Sequence, residues 1–367
     1  MRRIIYLTTT DWGWAKQRPH FIAEGLASYF YVEYAYQRRY QKKNMVRNIK
    51  NIDLHFYQIF RFPFEANPLI KFLNKILAQI QLYFKISNFE IIWISHPFYF
   101  DLIQNMIPDK CIIIYDCMDD HLEFPENANN RKIKNKLFIL EKNLIERADI
   151  TIASSDYLKS KINSRYGSLK QIRVINNAIS DNIINENESV VDSENKFPPK
   201  NSKLKQIVYI GTISEWMNFD LILKSLDQFE KIEYLFFGPS YIEIPSHVRL
   251  KYFGPIDHDQ VINAMRIADL LVMPFRKTEL ILSVNPVKVY EYIFAHKPVL
   301  ILEYTETLKF QEYVYLYDSD EDYLNYIENL TLNKLMPKND NQSCRLFAAN
   351  NTWGYRIQEI VELLKTL

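Results

Sequence analysis

Short apolar runs alternate with longer amphipathic stretches along the whole chain. Residues 3–8, Arg-Ile-Ile-Tyr-Leu-Thr, form the first such run, and others lie at 31–36, 54–59, 90–95, 111–115, 149–153 and 172–175. Runs of this length bounded by turn signals read as buried strands of a parallel sheet. Helices are predicted between them at 19–28, 68–84, 131–147 and 157–166. In the second of these, Leu69, Phe72, Leu73, Ile76, Ile80 and Tyr83 recur at three- and four-residue spacing and share one side.

Residues 176–203 are rich in Asn, Ser, Glu and Pro, with Pro198-Pro199 near the end, and read as a linker. The pattern then restarts. Strands are predicted at 206–210, 233–237, 248–253, 270–273, 299–302 and near 313–317, with helices at 219–229, 258–267, after Asp320 and at about 345–364. Alternation of this kind predicts two doubly wound α/β domains with a cleft between them. The division expected is 1–178, a linker over 179–203, a second domain over 204–344 and a terminal helix over 345–367.

One stretch, residues 283–298, gathers the most chemistry. Asn285 suits an N-cap and Pro286 the first helical position, so a helix should run to about Ala295, before Lys297-Pro298. Free N–H groups and the helix dipole make such a start an anion site, and Lys288 adds a full charge. Glu291 lies three residues on, on the same face, where a carboxylate accepts hydrogen bonds from a vicinal diol. That layout suits a nucleotide-sugar; an ordinary surface helix with a Lys–Glu pair has the same spacing.

Composition narrows the choice. With 367 residues, 48% hydrophobic and 24% charged, the chain has an ordinary soluble make-up, and a net charge of +1 argues against a dedicated nucleic-acid binder. Seven glycines and no spaced glycine fingerprint after the first strand argue against an NAD enzyme. Cys111, Cys117 and Cys344 lack metal-ligand spacing and are expected as buried reduced thiols, which points to the cytoplasm. There is no run of about 18 apolar residues, and the chain enters a strand at once instead of a signal peptide. Residues 1–85 nevertheless carry 14 Lys and Arg against 5 Asp and Glu. Much of that excess lies at 38–50, just before Phe60-Arg-Phe-Pro-Phe64. Basic residues interleaved with aromatics suit an anionic membrane surface as well as a solvated loop.

The ordered set of motifs resembles the GT-B glycosyltransferases, specifically family 4-like bacterial enzymes of teichuronic acid and capsular polysaccharide synthesis. It comprises Gln17-Arg-Pro-His20 with Gly25-Leu-Ala27, Tyr115-Asp-Cys-Met-Asp-Asp120, Val174-Ile-Asn-Asn-Ala178 and Tyr209-Ile-Gly-Thr212 with Glu215-Trp216 and Asp220. Val272-Met-Pro-Phe275 and Asn285-Pro-Val-Lys-Val-Tyr-Glu-Tyr292 with Lys297-Pro-Val299 complete it. The resemblance implies a GT-B fold: two Rossmann-like domains facing a central cleft, with the C-terminal helix returning to the first domain. It also implies a nucleotide-sugar in the second domain, with Glu291 on the ribose, Lys288 on the diphosphate or sugar, and Gly254 near the base. Gly211 and Thr212 would lie at the phosphates, and Pro274, Ser283, Asn285 and Tyr290 complete the donor set. Many relatives carry a glutamate where this chain has Ser283 and a basic residue in the loop after Gly211, which here reads Thr212-Ile-Ser-Glu-Trp216. The second departure shifts diphosphate charge onto Lys288, the helix start, and Arg276 or Lys277.

Transfer also needs a base for the acceptor hydroxyl. Asp116, Asp119 and Asp120 follow a buried strand, and clustered carboxylates raise one another's pKa. Asp119 and Asp120 are the expected bases and His96 their rival; a purely structural role, capping the next helix or ordering the loop, is the alternative. In the loop after the first strand, Trp12, Gly13 and Trp14 suit an acceptor sugar and Arg18 an acceptor phosphate, although either tryptophan also suits the core. Asp318-Ser-Asp320 mimics a metal-binding Asp-x-Asp but precedes a helix, so capping is favoured and no metal is expected.

The function expected is transfer of a sugar from a UDP- or GDP-linked donor, without cofactor or metal, to a lipid-linked or polysaccharide acceptor. The place expected is the inner face of the cytoplasmic membrane, where the chain would sit as a peripheral protein. A sugar-nucleotide epimerase of the same fold and a non-catalytic partner of a polysaccharide assembly complex are the alternatives.

Overall fold

A computed structural model describes residues 2–13, 16–37, 53–167, 172–185, 203–256 and 258–367. Trp14, the basic stretch 38–50 and linker residues 186–202 lie outside them. The chain forms two compact units, Met1–Asn177 with Trp353–Leu367, and Ala178–Thr352.

In the first unit the order is β1 (Arg3–Thr8), α1 (Arg18–Leu26), β2 (Tyr31–Gln37), β3 (Leu54–Ile59), α2 (Pro68–Ile86), β4 (Ile91–Ile94) and α3 (Pro97–Ile103). It continues with β5 (Ile112–Cys117), α4 (Pro125–Ala128), α5 (Arg131–Arg147), β6 (Ile150–Ala153), α6 (Asp156–Tyr166) and β7 (Ile172–Val174). The strands form one seven-stranded sheet in the order β3-β2-β1-β4-β5-β6-β7, every pair parallel. Strand order reverses beside β1, which opens a crevice outside the C-terminal ends of β1 and β4. Register puts Tyr6 level with both Tyr34 and Trp93. Their fully buried rings stack across three strands at 5.6 Å each.

The second unit opens with α7 (Asp181–Asn185), then β8 (Lys205–Ile210), α8 (Phe219–Gln228), β9 (Ile232–Phe237), β10 (Leu250–Tyr252), α9 (His258–Ile267) and β11 (Leu270–Met273). There follow α10 (Glu279–Ser283), α11 (Val287–Phe294), β12 (Val299–Leu302), a 3-10 turn at Thr307–Phe310, β13 (Tyr315–Tyr317), α12 (Asp320–Thr331) and α13 (Asn341–Ala349). Its six parallel strands run β10-β9-β8-β11-β12-β13, so the reversal falls between β8 and β11. The last helix, α14 (Trp353–Lys365), belongs to the first unit. It packs on α1 so closely that a Cβ on Gly25 would lie 2.3 Å from Ile357 Cγ1.

Four expectations change. The linker does not begin at 179: Ile179 and Ile183 are buried in the second core, and Ile179 donates its backbone N–H to Asn351 O at 3.0 Å. The terminal helix is two helices, because Asn350-Asn351-Thr352 interrupts it. Asp340 caps the first, accepting from Ser343 N at 2.8 Å, and α13 stays with the second unit. Asn285 is not the cap of α11. Pro286 holds that position, and the buried Asn285 side chain instead accepts from Tyr290 OH at 3.3 Å and donates to Glu306 at 3.5 Å. Finally, the apolar row of α2 is exposed; the face turned to the core is Asn74, Ala78, Leu82 and Ile86.

Asp318-Ser-Asp320 is a helix start. Ser319 caps α12 in a reciprocal box with Asp322, and Asp318 pairs with Lys277 at 2.5 Å. The three cysteines are free and buried.

Candidate functional site

In the second unit three glycines end neighbouring strands. Gly211 follows β8 and donates its N–H to Phe237 O at 2.9 Å; Gly238 follows β9 and donates to Gly254 O at 2.8 Å. Gly238 has φ +132° and Gly254 φ +76°, and a Cβ on Gly238 would stand 2.0 Å from Gly211 O. Backbone there packs on backbone, as only glycine allows. Thr212 follows, its carbonyl held by Tyr209 OH at 2.7 Å. On the other side of the strand reversal, β11 ends in buried Pro274, whose carbonyl accepts from Asn218 N at 2.8 Å.

After β11 the chain turns through α10 into α11. Lys288 Nζ lies 2.7 Å from Glu291 Oε2, with side-chain exposures of 29% and 8%, so the pair is accessible through the lysine. Ser283 is fully buried and donates its hydroxyl to Leu280 O at 2.6 Å. Tyr290 is buried behind the helix, with its ring 5.1 Å from Phe310. Of the three expected donor contacts, Ser283 therefore bonds back within α10, while Asn285 and Tyr290 bond each other and support α11. The physical reason is that their polar atoms meet partners inside the unit. Arg276 and Lys277, the other candidate cations, pair on the exposed side with Asp220 at 2.8 Å and Asp318 at 2.5 Å. Lys288 thus has the most sheltered position of the three.

In the first unit the loop after β5 is an acidic cluster whose members have different fates. Asp116 is fully buried and holds Arg18: Nη2 lies 2.8 Å from Oδ1, and Nε donates to both oxygens at 3.0 and 3.2 Å. Arg18 Nη1 donates to Ile175 O at 2.8 Å and Asn177 Oδ1 at 3.3 Å. Expected on an acceptor phosphate, Arg18 is instead the buried tie between α1, β5 and the chain after β7. Asp120 accepts two hydrogen bonds from Arg165, at 2.9 and 2.7 Å, and pairs with Lys161 at 3.0 Å. Burial would raise its pKa, but these cations outweigh burial and hold it below the ordinary value, so Asp120 is unsuited as a base.

Asp119 is the exception. Burial raises its carboxyl, Arg18 opposes this, and Asp116 and Asp120 add to it, leaving it pushed up to about 7. A carboxyl there is poised between proton acceptor and donor at neutral pH. His96 caps α3, its Nδ1 accepting from Phe98 N at 3.1 Å, and its ring lies 4.3 Å from that of His121. Burial and the neighbouring His121 push its pKa well down, so His96 is a neutral cap.

Trp12 is buried, packed at 4.7 to 4.9 Å against Phe56, His20 and Tyr34. It is core, because the loop after β1 folds inward over the aromatic row. Gly13 is exposed and donates its N–H to Asp11 Oδ1 at 2.8 Å.

Sequence reasoning missed Arg165 and Glu141. Glu141 accepts from Tyr115 OH and Tyr166 OH at 2.5 Å each, and Arg165 Nη1 stands 3.8 Å from it. No spacing signal could have found a network whose members come from β5, α5 and the end of α6. Among the described residues no group of three or more His, Cys, Asp or Glu is placed to hold a metal ion.

No protein-family model matches the chain. A sequence relative is the "Putative teichuronic acid biosynthesis glycosyltransferase TuaH" of Bacillus subtilis (strain 168), 24% identical over 271 residues. That match takes in 68% of this chain and 66% of the relative, so the chain spans just under two thirds of the relative's length. Among solved structures, sucrose-phosphate synthase from Thermosynechococcus elongatus aligns over 100% of this chain and 99% of its own, with a TM-score of 0.76 at 12% identity. HepE of Anabaena, solved with UDP-glucose, aligns over 100% of both chains with a TM-score of 0.71 at 14% identity. A trehalose-6-phosphate protein from E. coli, bound with UDP-2-fluoro glucose, aligns over 100% and 99% with a TM-score of 0.69 at 10% identity. Two parallel sheets of the doubly wound kind, matched over their whole length by these structures, give the chain the fold of the GT-B glycosyltransferases.

Proposed function

We propose that the chain is a glycosyltransferase that moves a sugar from a nucleoside-diphosphate sugar to a lipid-linked or polysaccharide acceptor in bacterial cell-surface polysaccharide synthesis, including capsule. The observation that carries this reading is the Lys288–Glu291 pair, 2.7 Å apart on the first turns of α11, in a unit whose strands β8, β9 and β10 end in glycines. Lys288 and the N–H groups at the start of α11 take the charge of the diphosphate, and Glu291 takes the ribose hydroxyls. The same lysine and helix start neutralise the leaving group, so the transfer is read as metal-independent. HepE solved with UDP-glucose, and with UDP and glucose, supports a uridine diphosphate sugar as donor.

In the transfer the acceptor oxygen bonds to the anomeric carbon as the bond from that carbon to the diphosphate oxygen breaks. The electron pair leaves with the nucleoside diphosphate. The acceptor proton passes to Asp119, whose carboxyl stands near 7. The relative from Bacillus subtilis supports a cell-wall polysaccharide as product. A lipid-linked acceptor puts the protein in the cytoplasm, against the inner face of the membrane.

The test is thermal shift with UDP, GDP and their glucose and mannose conjugates, on wild type, Lys288→Ala and Glu291→Ala. A ligand that binds the native state raises its midpoint. One nucleotide class should stabilise the wild type, with both variants losing the effect. No shift with any nucleotide would sink the proposal.

A further inference from the structure

Ten of the twenty-two exposed large apolar side chains among the described residues fall between Phe60 and Phe84. A concentration of this kind differs from the scattered apolar residues of an ordinary surface. The helix α2 supplies most of it. With about 100° between successive residues, its core row Asn74, Ala78, Leu82 and Ile86 and its outer row Leu69, Phe72, Ile76, Ile80 and Tyr83 occupy opposite sides. The segment before the helix is held alongside. Asn74 exchanges hydrogen bonds with the backbone of Phe62 at 2.7 and 2.9 Å, and Gln81 with that of Phe60 at 2.9 and 3.0 Å. Phe60, Phe62 and Phe64 extend the apolar strip, and Phe64 is 78% exposed.

Charge identifies the occupant. Over its 19 residues α2 carries Lys71, Lys75 and Lys85 and no carboxylate. Lys75 and Lys85 bond Asp101 and Glu33 at 3.0 and 2.6 Å, while Lys71 is exposed. The only acid of the preceding segment, Glu65, is paired with Arg61 at 2.7 Å. The first 85 residues as a whole hold 14 Lys and Arg against 5 Asp and Glu. Six of the ten exposed side chains are Phe or Tyr, which favour the headgroup level of a bilayer.

We propose that the outer face of α2, with Phe60, Phe62 and Phe64, is a docking surface for an anionic lipid bilayer. The helix lies in the plane of the interface, its outer row in the boundary between headgroups and acyl chains. At about 28 Å it approaches the thickness of the hydrocarbon layer, but it does not cross: its other side is packed on the sheet, and no helix among the described residues is apolar enough to span. The surface rests on the reading of a lipid-linked acceptor given above, and it would bring that acceptor's membrane to the first unit.

The test is flotation of the full chain with vesicles of phosphatidylcholine alone or with about 30% phosphatidylglycerol, at low and high salt. The wild type should float with the anionic vesicles and lose binding in salt. The variant Phe72→Ser/Ile76→Ser/Ile80→Ser should bind more than about tenfold more weakly, and Lys71→Glu should weaken binding without removing apolar area. Every replaced side chain is exposed, so unchanged thermal midpoints are expected. No flotation of the wild type, equal flotation of the triple variant, or a wild-type oligomer that the triple variant abolishes would each overturn the proposal. The UDP-sugar midpoint shift, read on the same preparations, separates the two readings. A retained shift without flotation overturns the surface alone, and flotation without any nucleotide shift overturns the transferase reading alone.

Discussion

Arg18 and Asp116 form a buried ion pair, Nη2 to Oδ1 at 2.8 Å, with 4% and 0% of their side chains exposed. The pair decides what the acidic loop after β5 can do. Arg18 directs its hydrogen bonds to Asp116 and acts on Asp119 through its charge, which lowers that carboxyl less than burial and the neighbouring Asp116 and Asp120 raise it, so Asp119 is pushed up to about 7.

Arg18→Ala should destabilise the first unit by about 3–5 kcal/mol, because it strands a buried carboxylate. Urea unfolding of the variant should show a lower midpoint, and Asp116→Asn combined with Arg18→Ala should recover part of the loss. Equal stability of Arg18→Ala and wild type would mean that the pair is open to water.

Asp119 ties pH to both rate and stability. Its folded-state pKa is raised to about 7, against about 3.9 in an unfolded chain. The native state therefore holds the proton more tightly than the unfolded state, and stability falls as pH rises between those values. Asp119→Asn should remove that fall and gain stability over the wild type at pH 8, while turnover drops by about 10²–10⁴-fold. In the wild type the transfer rate should rise with pH through about 7. A flat wild-type pH–rate profile with full activity in Asp119→Asn would rule Asp119 out as the base.

Lys288→Ala should lower turnover by about 10²-fold or more, since in the proposed transfer it removes the cation that takes the charge of the leaving diphosphate. Lys288→Arg should retain part of the rate. Measured with saturating donor, the loss should appear in kcat; a change in KM alone would mean that Lys288 binds ground state and transition state equally.

Two glycines separate backbone strain from crowding. Gly238 and Gly167 both have positive φ, +132° and +79°, but a Cβ on Gly238 meets Gly211 O at 2.0 Å whereas one on Gly167 meets nothing within 4 Å. Gly167→Ala should cost about 1 kcal/mol from conformation alone. Gly238→Ala should cost clearly more and also weaken nucleotide binding, because the loops after β8 and β9 must part. Equal thermal midpoints for the two variants would refute the close approach.

Much of the architecture was legible in the order of residues. Apolar runs such as Ile91–Ile94 and Leu270–Met273 are strands because every side chain in them is buried, and the helices between them follow from the requirement that parallel strands be joined by crossovers. Asn285 and Pro286 marked the start of α11 to within one residue, the cap falling on Pro286 instead of Asn285, and the Lys288–Glu291 pair was implicit in a spacing of three. These are local properties, set by neighbours along the chain.

Tertiary structure decided the rest. Asp116, Asp119 and Asp120 are the same residue type within five positions, yet a partner 98 residues away takes the first and another 45 residues away takes the third. Trp12 became core and Asn285 a support for the same reason: their neighbours come from other strands and helices. The apolar row of α2 could be read as a row, but not which way it faced. Helical periodicity fixes only relative angles around an axis, and what lies on each side of that axis is settled by the packing of the whole unit.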